Sequence, residues 1–158
     1  MFVGAVETTE RADRSMDAFD ADVLIYAAEV GHPLGARVRA VFNRSAATTV
    51  GIGSVLLLIE VLSRPMRQQQ AADVATLSGF LGRLDLQPFS RSIAAAATTL
   101  AAQHNLRAAD AVHLATAVDA AATRFITNNR KDSPKTITDV EIVYPEDLPD
   151  PADTDRDD

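Results

Sequence analysis

The sequence predicts a three-layer α/β/α fold, with helices on both faces of a short central parallel sheet. Two observations predict it: short apolar, β-branched segments alternate with segments of helical periodicity, and two of the short segments end in polar residues. Strands that alternate with helices form parallel sheets through crossover connections. Because ligands bind at the carboxyl ends of the strands in such sheets, we expect a polar site at one edge.

Composition sets the class of protein. The chain has 158 residues, 47% hydrophobic and 23% charged, which suits one globular domain with a real core. It has no cysteine, so a metal would have to be a hard ion held by oxygen ligands. The N-terminus lacks a signal-peptide pattern, and the longest apolar run, residues 55–59, stops at Glu60. We therefore expect a cytoplasmic protein with no membrane association.

The net charge of −7 is distributed unevenly. Residues 139–158 hold nine acids and one base, which gives −8 for that segment. The other 138 residues hold 13 acids and 14 bases, which gives +1. The acidic character belongs to the C-terminal segment, so it does not exclude nucleic acid as a partner of the rest of the chain.

The first element has two interpretations. Residues 1–16 are polar and aperiodic, which predicts a disordered extension before a domain at residues 17–145; a true start at Met16 is the alternative. The segment that follows is either one long strand or a short strand ending near Asp20 and leading into a helix. We favour the second interpretation, with Asp22 as the helix cap, because aspartate is a preferred N-cap residue. It places Asp20 at the carboxyl end of a strand.

Hydrophobic periodicity and turn residues predict the remaining elements. They are a helix at 34–42, a strand at 48–52, a helix at 54–63 closed by Pro65, a helix at 68–83, a strand at 84–89, a helix at 90–104 capped by Ser90, a helix from 106 to about 120, a strand at 124–129 and an edge strand at 140–144. Residues 146–158 offer little apolar surface to bury, so we predict a disordered acidic tail. Removing residues 147–158 should leave the melting temperature almost unchanged.

Glu60 interrupts the most hydrophobic predicted helix of the chain. An ion pair with Arg64, four residues later, is the ordinary explanation for such a residue. Exposed pairs of this kind contribute only about 0.3–0.5 kcal/mol, which does not account for a glutamate with core residues on both sides. We therefore expect Glu60 to point inward.

Asp110 lies on the apolar stripe of its helix. Leu106, Asp110 and Leu114 recur at helical spacing, so Asp110 should face the core. A buried carboxylate persists only if it is paired, hydrogen-bonded or bound to a cation. Neither Arg107 nor His113 obviously satisfies it, and we expect His113 to be structural because no third histidine completes a zinc-site spacing. Asp110 is therefore a candidate ligand.

Four motifs together resemble the PIN domain: DADVLIY from Asp20, LIEVL from Leu58, LRAADAVHLATA from Leu106 and FITNNR from Phe125. They are most similar to the VapC toxins of prokaryotic toxin–antitoxin pairs, and the likeness spans about residues 17–145. The resemblance implies a compact α/β/α nuclease whose acidic cluster holds Mg²⁺ or Mn²⁺ and cleaves RNA. It also implies a VapB-type antitoxin partner and a homodimer.

The resemblance assigns the site residue by residue. The first three acids of the family fall on Asp20, Glu60 and Asp110. Asp20 and Asp110 are implied to be direct ligands of a single ion, and Glu60 a ligand or a base acting through water.

The sequence departs from the family pattern at two positions. The fourth acid of the family falls on Asn129, an amide, and Asp22 is an acid where the family usually has Ser, Thr or Asn. We expect Asn129 and Thr127 to position a water or a phosphate, with Asn128 and Asp22 as accessory residues. Asp132 could also reach inward, but its loop context favours a solvated role.

Basic residues near these motifs are candidates for RNA backbone contacts. They are Arg64, Arg67, Arg107, Arg130 and Lys131. Two other functions stay open. Asp20 and Asp22 form the Asp-x-Asp that opens haloacid-dehalogenase-like phosphatases, although a later motif of that class is missing and Glu60 and Asp110 would have no role. A non-catalytic PIN-fold binding module is the other alternative, because Asn129 replaces an acid.

Overall fold

The structure, a computed structural model, describes residues 16–154. In this range the chain forms five strands, seven α-helices and one 3₁₀ turn. They are β1 (Asp17–Phe19), α1 (Ala21–Ala28), α2 (Pro33–Arg44), β2 (Gly51–Ser54), α3 (Leu56–Arg67), α4 (Ala71–Leu81), β3 (Leu84–Gln87), α5 (Arg91–His104), α6 (Ala108–Asp119), β4 (Arg124–Ile126), β5 (Glu141–Val143), the 3₁₀ turn Pro145–Asp147 and α7 (Pro151–Thr154). None of these helices is long and apolar enough to cross a membrane.

The strands form a parallel sheet in the order β3-β2-β1-β4-β5. Successive residues of β1 point to opposite faces. Ala18 packs into a cluster with α5 and α6, whereas Phe19 packs with α1 to α4. The three-layer α/β/α prediction is confirmed, and β5 lies at the edge of the sheet as expected.

The register of the central strands places the end of β1 beside the end of β4. Asp17 is opposite Arg124 and Phe19 is opposite Ile126. The backbone N–H of Asp20 still donates to the carbonyl of Ile126, at 3.0 Å, so the ladder continues one residue beyond β1. Residues that follow these two strands are therefore neighbours at the carboxyl edge of the sheet.

The cap of α1 is Asp20, and the prediction that Asp22 caps this helix is wrong. Asp20 has extended backbone angles, and its carboxylate accepts a hydrogen bond from the N–H of Ala21. The helix begins directly after Asp20 because the strand ladder ends there. Asp22 consequently lies in the first turn, on the side of the helix that faces the end of β4.

Pro65 does not close α3, which continues to Arg67, so the predicted end at residue 63 is wrong. A proline in the last turn removes a single helical hydrogen bond. The turn after it is closed instead by Gln68 N–H to Arg64 O at 3.0 Å and by Gln70 N–H to Pro65 O at 2.9 Å. The helix therefore tolerates Pro65 one turn from its end.

The segment after β5 is ordered up to residue 154, so the prediction of a disordered tail at 146–158 is wrong for residues 146–154. Leu148 is 2% exposed, and the guanidinium of Arg37 donates to the carbonyls of Glu146 and Leu148. This buried leucine, the two carbonyls and the Asp150 carboxylate, which accepts from Arg37 at 3.3 Å, dock a segment whose composition is otherwise polar. Removing residues 147–158 should therefore destabilise the fold. The predictions for residues 1–15 and 155–158 lie outside the described residues.

Candidate metal centre

Asp20 is a buried carboxylate at the carboxyl end of β1. It is 7% exposed, and it accepts hydrogen bonds from the hydroxyl of Thr127 and the N–H of Ala21, each at 2.8 Å. Thr127 is fully buried directly after β4, so the parallel register brings the two residues together. Both donors are neutral, and they leave the charge of Asp20 without a counter-ion.

Glu60 reaches the same place from α3. Its Oε2 lies 2.6 Å from Nε2 of His113 on α6. Asp20, Glu60 and His113 each offer one ligand atom, and these atoms lie within 4.8 Å of one another. The ordinary explanation, a pair with Arg64, is not what the structure shows.

The surroundings of Glu60 differ from the expected core environment. Leu57 and Val61 are buried, but Leu58 and Ile59 are 43% and 65% exposed. The Glu60 side chain is itself about one-third exposed. Glu60 therefore stands at the rim of the cluster, where α3 meets solvent.

Asp110 and Asp132 face each other across Asn129. The amide nitrogen of Asn129 lies 3.4 Å from Oδ1 of Asp110 and 3.2 Å from Oδ2 of Asp132. The N–H of Asp132 donates back to the Asn129 amide oxygen at 3.3 Å. The loop after β4 thus turns Asp132 toward Asp110, and the expectation of a solvated Asp132 is wrong.

Asp22 connects α1 to the loop after β4 through hydrogen bonds. Its carboxylate accepts from the N–H groups of Val23 and Asn128, at 2.7 and 3.0 Å. The amide nitrogen of Asn128 contacts the hydroxyl of Tyr26 at 3.4 Å, while its Oδ1 is buried with no hydrogen-bond partner among the described residues. An unpaired buried oxygen beside a carboxylate fits a site built for a cation.

The crowding of acids shifts their protonation. Burial and the charge of Asp20 raise the pKa of Asp22 from 3.8 to about 7. Burial raises the pKa of Asp110 as well, assisted by the charges of Asp20 and Asp132. Burial alone would lower the pKa of His113, but its hydrogen bond to Glu60 and the nearby acids raise it. These directions follow from the concentration of negative charge in the cluster, where His113 is the one basic side chain among the residues that the electrostatic shifts of Asp22 and Asp110 involve.

Five carboxylates from four parts of the chain contribute negative charge here: Asp20, Asp22, Glu60, Asp110 and Asp132. Only Asp20 and Glu60 belong, with His113, to the group of ligand atoms that lie within 4.8 Å of one another. No lysine or arginine within residues 16–154 forms an ion pair with any of the five carboxylates. Carboxylate and amide oxygens are the ligands that Mg²⁺ and Mn²⁺ prefer. The donor set therefore fits a hard divalent cation.

The basic candidates occupy different surroundings. Arg64 borders a groove next to Glu60, while Arg67 and Lys131 are exposed. Arg107 is exposed at the N-cap of α6, whose first turn carries Asp110. Arg130 points away from the cluster: it pairs with Glu146 at 2.7 Å and lies over the ring of Tyr144.

Two members of the cluster, His113 and Asp132, were not assigned to the site from the sequence. The spacing of Asp110 and His113, three residues apart on one buried face of α6, was the available signal for the histidine. Asp132 was noted as able to reach inward, but its loop context favoured a solvated role because its orientation depends on the turn that Asn129 forms.

A PIN-domain family profile matches residues 18–133. The chain belongs to the PIN-domain family. This match covers most of the chain and spans every acid of the cluster.

Solved structures agree with the assignment at the level of the fold. A toxin–antitoxin complex from Klebsiella pneumoniae is similar, with a TM-score of 0.65 and 22% identity over 83% of this chain and 98% of that one. VapBC2 from Rickettsia felis, bound to a DNA fragment from its promoter, has a TM-score of 0.65 and 18% identity over 82% and 98%. No curated protein sequence matches the chain significantly.

Proposed function

We propose that this PIN-domain protein is a metal-dependent endoribonuclease toxin that an antitoxin protein neutralises. The observation that carries the proposal is the cluster around Asp20, Glu60 and Asp110, whose charges no lysine or arginine of the described chain balances. An acidic centre repels a polyanion such as RNA unless a divalent cation reverses its charge. The family assignment favours phosphodiester hydrolysis over other metal chemistry.

In this proposal several acids of the cluster bind one cation, Mg²⁺ or Mn²⁺, and each has a different role. Asp20 and Asp110 bind it directly, and Glu60 completes the set or accepts a proton through water. The bound cation would neutralise charge on the phosphate and activate water for in-line attack. Thr127 keeps one oxygen of Asp20 in place through its 2.8 Å hydrogen bond, which preorganises the ligand.

Asn129 and Asp132 together take the place of the fourth acid. Asn129 replaces a carboxylate with an amide, but the amide donates toward Asp110 and Asp132 and holds them close. Asp132 restores the missing negative charge three residues later. Asp132 therefore keeps an acid near Asp110 although position 129 is an amide. Its presence supports a catalytic site over the non-catalytic alternative.

RNA would reach this centre along a surface with basic side chains. Arg64, Arg67, Arg107 and Lys131 are exposed and free to contact phosphates without reading sequence. Arg130 is a weaker candidate, because Glu146 already pairs with it.

The antitoxin would dock on a groove between α1, α3 and α4 that is lined by both apolar and charged side chains. This groove has a volume of about 290 Å³ and adjoins Glu60. Ile25, which lines this groove, is 41% exposed, and Ile59 and Met66 on α3 are 65% and 61% exposed. Exposed apolar residues on these helices would be covered by a bound partner. The two similar structures were solved as toxin–antitoxin complexes or assemblies, which supports a protein occupant. A homodimer and a cytoplasmic location stay predictions; size-exclusion chromatography tests the dimer.

The phosphatase alternative is less well supported. It would use Asp20 and Asp22 as nucleophile and proton donor, but both oxygens of Asp22 are engaged by backbone N–H groups. It would also leave Glu60 and Asp110 without a role. The family match to the PIN domain favours the nuclease.

The test compares the purified protein with its Asp110→Asn variant on RNA, with Mg²⁺, with Mn²⁺ and with a chelator. We expect cleavage only with a divalent cation, and a loss of about a hundredfold or more in the variant, since metal charge stabilisation supplies several kcal/mol. Asp85→Asn, an exposed aspartate on β3, is the matched control and should cleave normally.

Each outcome has a distinct meaning. Equal cleavage by Asp110→Asn and the parent protein would contradict the proposed site. Metal binding without cleavage of any RNA would favour the non-catalytic binding module instead.

A further inference from the structure

The imidazole of His113 has one nitrogen bonded to Glu60 and one nitrogen with no partner. Nε2 lies 2.6 Å from Oε2 of Glu60. Nδ1 is buried without a hydrogen-bond partner within the described part of the chain. The side chain is only 2% exposed, so bulk water does not compensate the second nitrogen.

This asymmetry determines where the ring proton lies. A neutral imidazole donates from one nitrogen and accepts at the other. A proton on Nδ1 would be a buried donor without an acceptor, which costs the full desolvation of the group. A proton on Nε2 lies between His113 and Glu60 and forms a charge-assisted hydrogen bond. The neutral ring therefore donates from Nε2 to Glu60.

The same asymmetry argues against His113 as a ligand of the cation. If Nε2 bound the ion, the ring proton would move to Nδ1. Histidines that bind metals almost always donate their other N–H to a carboxylate, a carbonyl or a water. Nδ1 of His113 has no such acceptor among residues 16–154.

Glu60 depends on this hydrogen bond for its position. Its side chain is about one-third exposed at the rim of the cluster, and Leu58 and Ile59 beside it are exposed too. His113 is the only group of the described chain that hydrogen-bonds to its carboxylate. Without that contact the side chain would be free to sample rotamers in solvent.

We propose that His113 is a positioning residue whose Nε2–H holds the Glu60 carboxylate beside Asp20, so that the cation meets a preformed set of oxygen ligands. This inference rests on the proposed metal-dependent nuclease. It assigns the histidine to Glu60 and not to the ion.

The first test measures Mn²⁺ affinity by calorimetry. His113→Leu should weaken binding by about ten- to a hundredfold, which is the usual effect of losing a partner of a metal ligand. His113→Gln should recover most of the affinity, because its amide N–H can replace the Nε2–H. Thr116→Val removes a buried hydroxyl of the same helix that donates to the Val112 carbonyl and not to Glu60, and it should leave the affinity unchanged.

A double variant separates positioning from direct ligation. In a Glu60→Ala background, which removes the oxygens that His113 positions, His113→Leu should cause little further loss of Mn²⁺ affinity. A further tenfold loss in that background would show that His113 binds the ion itself, and either this loss or no rescue by His113→Gln would overturn the inference.

A measurement without metal keeps this inference separate from the proposed function. At a pH where the ring is neutral, long-range ¹H–¹⁵N spectra of the metal-free protein should show the Nε2–H tautomer of His113, with a nitrogen shift that changes in Glu60→Gln. A neutral ring with its proton on Nδ1 would overturn the inference even if His113→Leu does not fold. If the tautomer and its dependence on Glu60 are seen but the protein neither binds Mn²⁺ nor cleaves RNA, the hydrogen-bond assignment stands and the proposed function fails.

Discussion

Strand β1 has a buried aspartate at its start and another immediately after its end. Asp17 and Asp20 are each 7% exposed. Asp17 receives two hydrogen bonds of 2.8 Å from the guanidinium of Arg124, the residue opposite it in β4. Asp20 receives hydrogen bonds from neutral donors only, the Thr127 hydroxyl and the Ala21 N–H.

The difference shows that burial alone does not reveal what a carboxylate does. At the amino end of the sheet the charge is balanced by a bidentate pair, which is a structural arrangement. The hydrogen bonds to Asp17 also raise the pKa of Arg124. At the carboxyl end Asp20 is hydrogen-bonded by neutral donors and forms no pair with an arginine or lysine of the described chain, an arrangement that would suit a bound cation.

Replacing Asp20 should cause the largest functional loss. Asp20→Asn keeps an oxygen that can accept from Thr127 but removes the charge, so we expect RNA cleavage to fall by about a hundredfold or more. Stability of the metal-free protein should be unchanged or higher, because repulsion with Asp22 and Asp110 is relieved. Thermal melts with and without Mg²⁺, beside the cleavage assay, measure both. Unfolding of the variant would mean that Asp20 resembles Asp17 and is structural.

Titration of Asp22 should make the metal-free fold less stable as pH rises. Its folded pKa is raised from 3.8 to about 7, so the stabilising contribution of its protonated form is complete below pH 3.8 and is lost as pH rises to about 7. At about 1.4 kcal/mol per pKa unit the upper limit is about 4 kcal/mol, part of which is shared with Asp20.

Denaturant unfolding of the protein and of Asp22→Asn between pH 4 and 8 checks this contribution. The stability difference between them should change in that window, and saturating Mg²⁺ should suppress it. A difference independent of pH would show that the carboxyl of Asp22 ionises normally.

Replacing Asp17, at the start of β1, should lower the stability of the fold and leave catalysis unchanged. Asp17→Asn leaves the Arg124 guanidinium partly buried and unpaired, so we expect a loss of about 1–3 kcal/mol, below the value for fully buried pairs because Arg124 still reaches solvent. Cleavage per folded molecule should stay normal.

The double variant Asp17→Asn with Arg124→Gln supplies the control for that prediction. It should lose less stability than the sum of its single changes, because the two side chains act as a pair. Additive losses would argue that Asp17 and Arg124 contribute separately.

Breaking the exposed ion pair between Arg130 and Glu146 should have the smallest effect on stability and on RNA binding. Both side chains are about half exposed, and such pairs contribute little to stability. Glu146→Gln should leave the melting temperature unchanged while strengthening RNA binding slightly at low salt, because Arg130 becomes available to phosphate. RNA affinity measured at two salt concentrations tests this, and an unchanged affinity at low salt would place Arg130 and Glu146 outside the RNA path.

Local patterns were enough to predict the order of the elements and three acids of the cluster. Alternation of strands and helices fixed the sheet type, and an acid within an apolar pattern marked Glu60 and Asp110. The cap at Asp20 was missed because both Asp20 and Asp22 are good caps, and only the ladder with β4 decides between them.

What the sequence could not predict depends on contacts between distant residues. The hydrogen bond between His113 and Glu60 joins positions 53 apart, and no local period encodes it. Leu148 is a single apolar residue in a polar segment, yet Arg37 on α2, 111 residues earlier, binds its carbonyl. Both hydrogen bonds depend on how the folded chain brings distant helices and loops together, which neighbouring residues in the sequence do not encode.

The residues of the cluster are far apart along the chain, and this separation also affects biosynthesis. The bond between Asp20 and Thr127 spans 107 positions, and Glu60 and Asp110 lie between them. A ribosome that has made β1, α3 and even most of α6 has not yet produced a complete centre. If the protein is a nuclease, its nascent chain is therefore harmless to the RNA that encodes it until synthesis has passed β4.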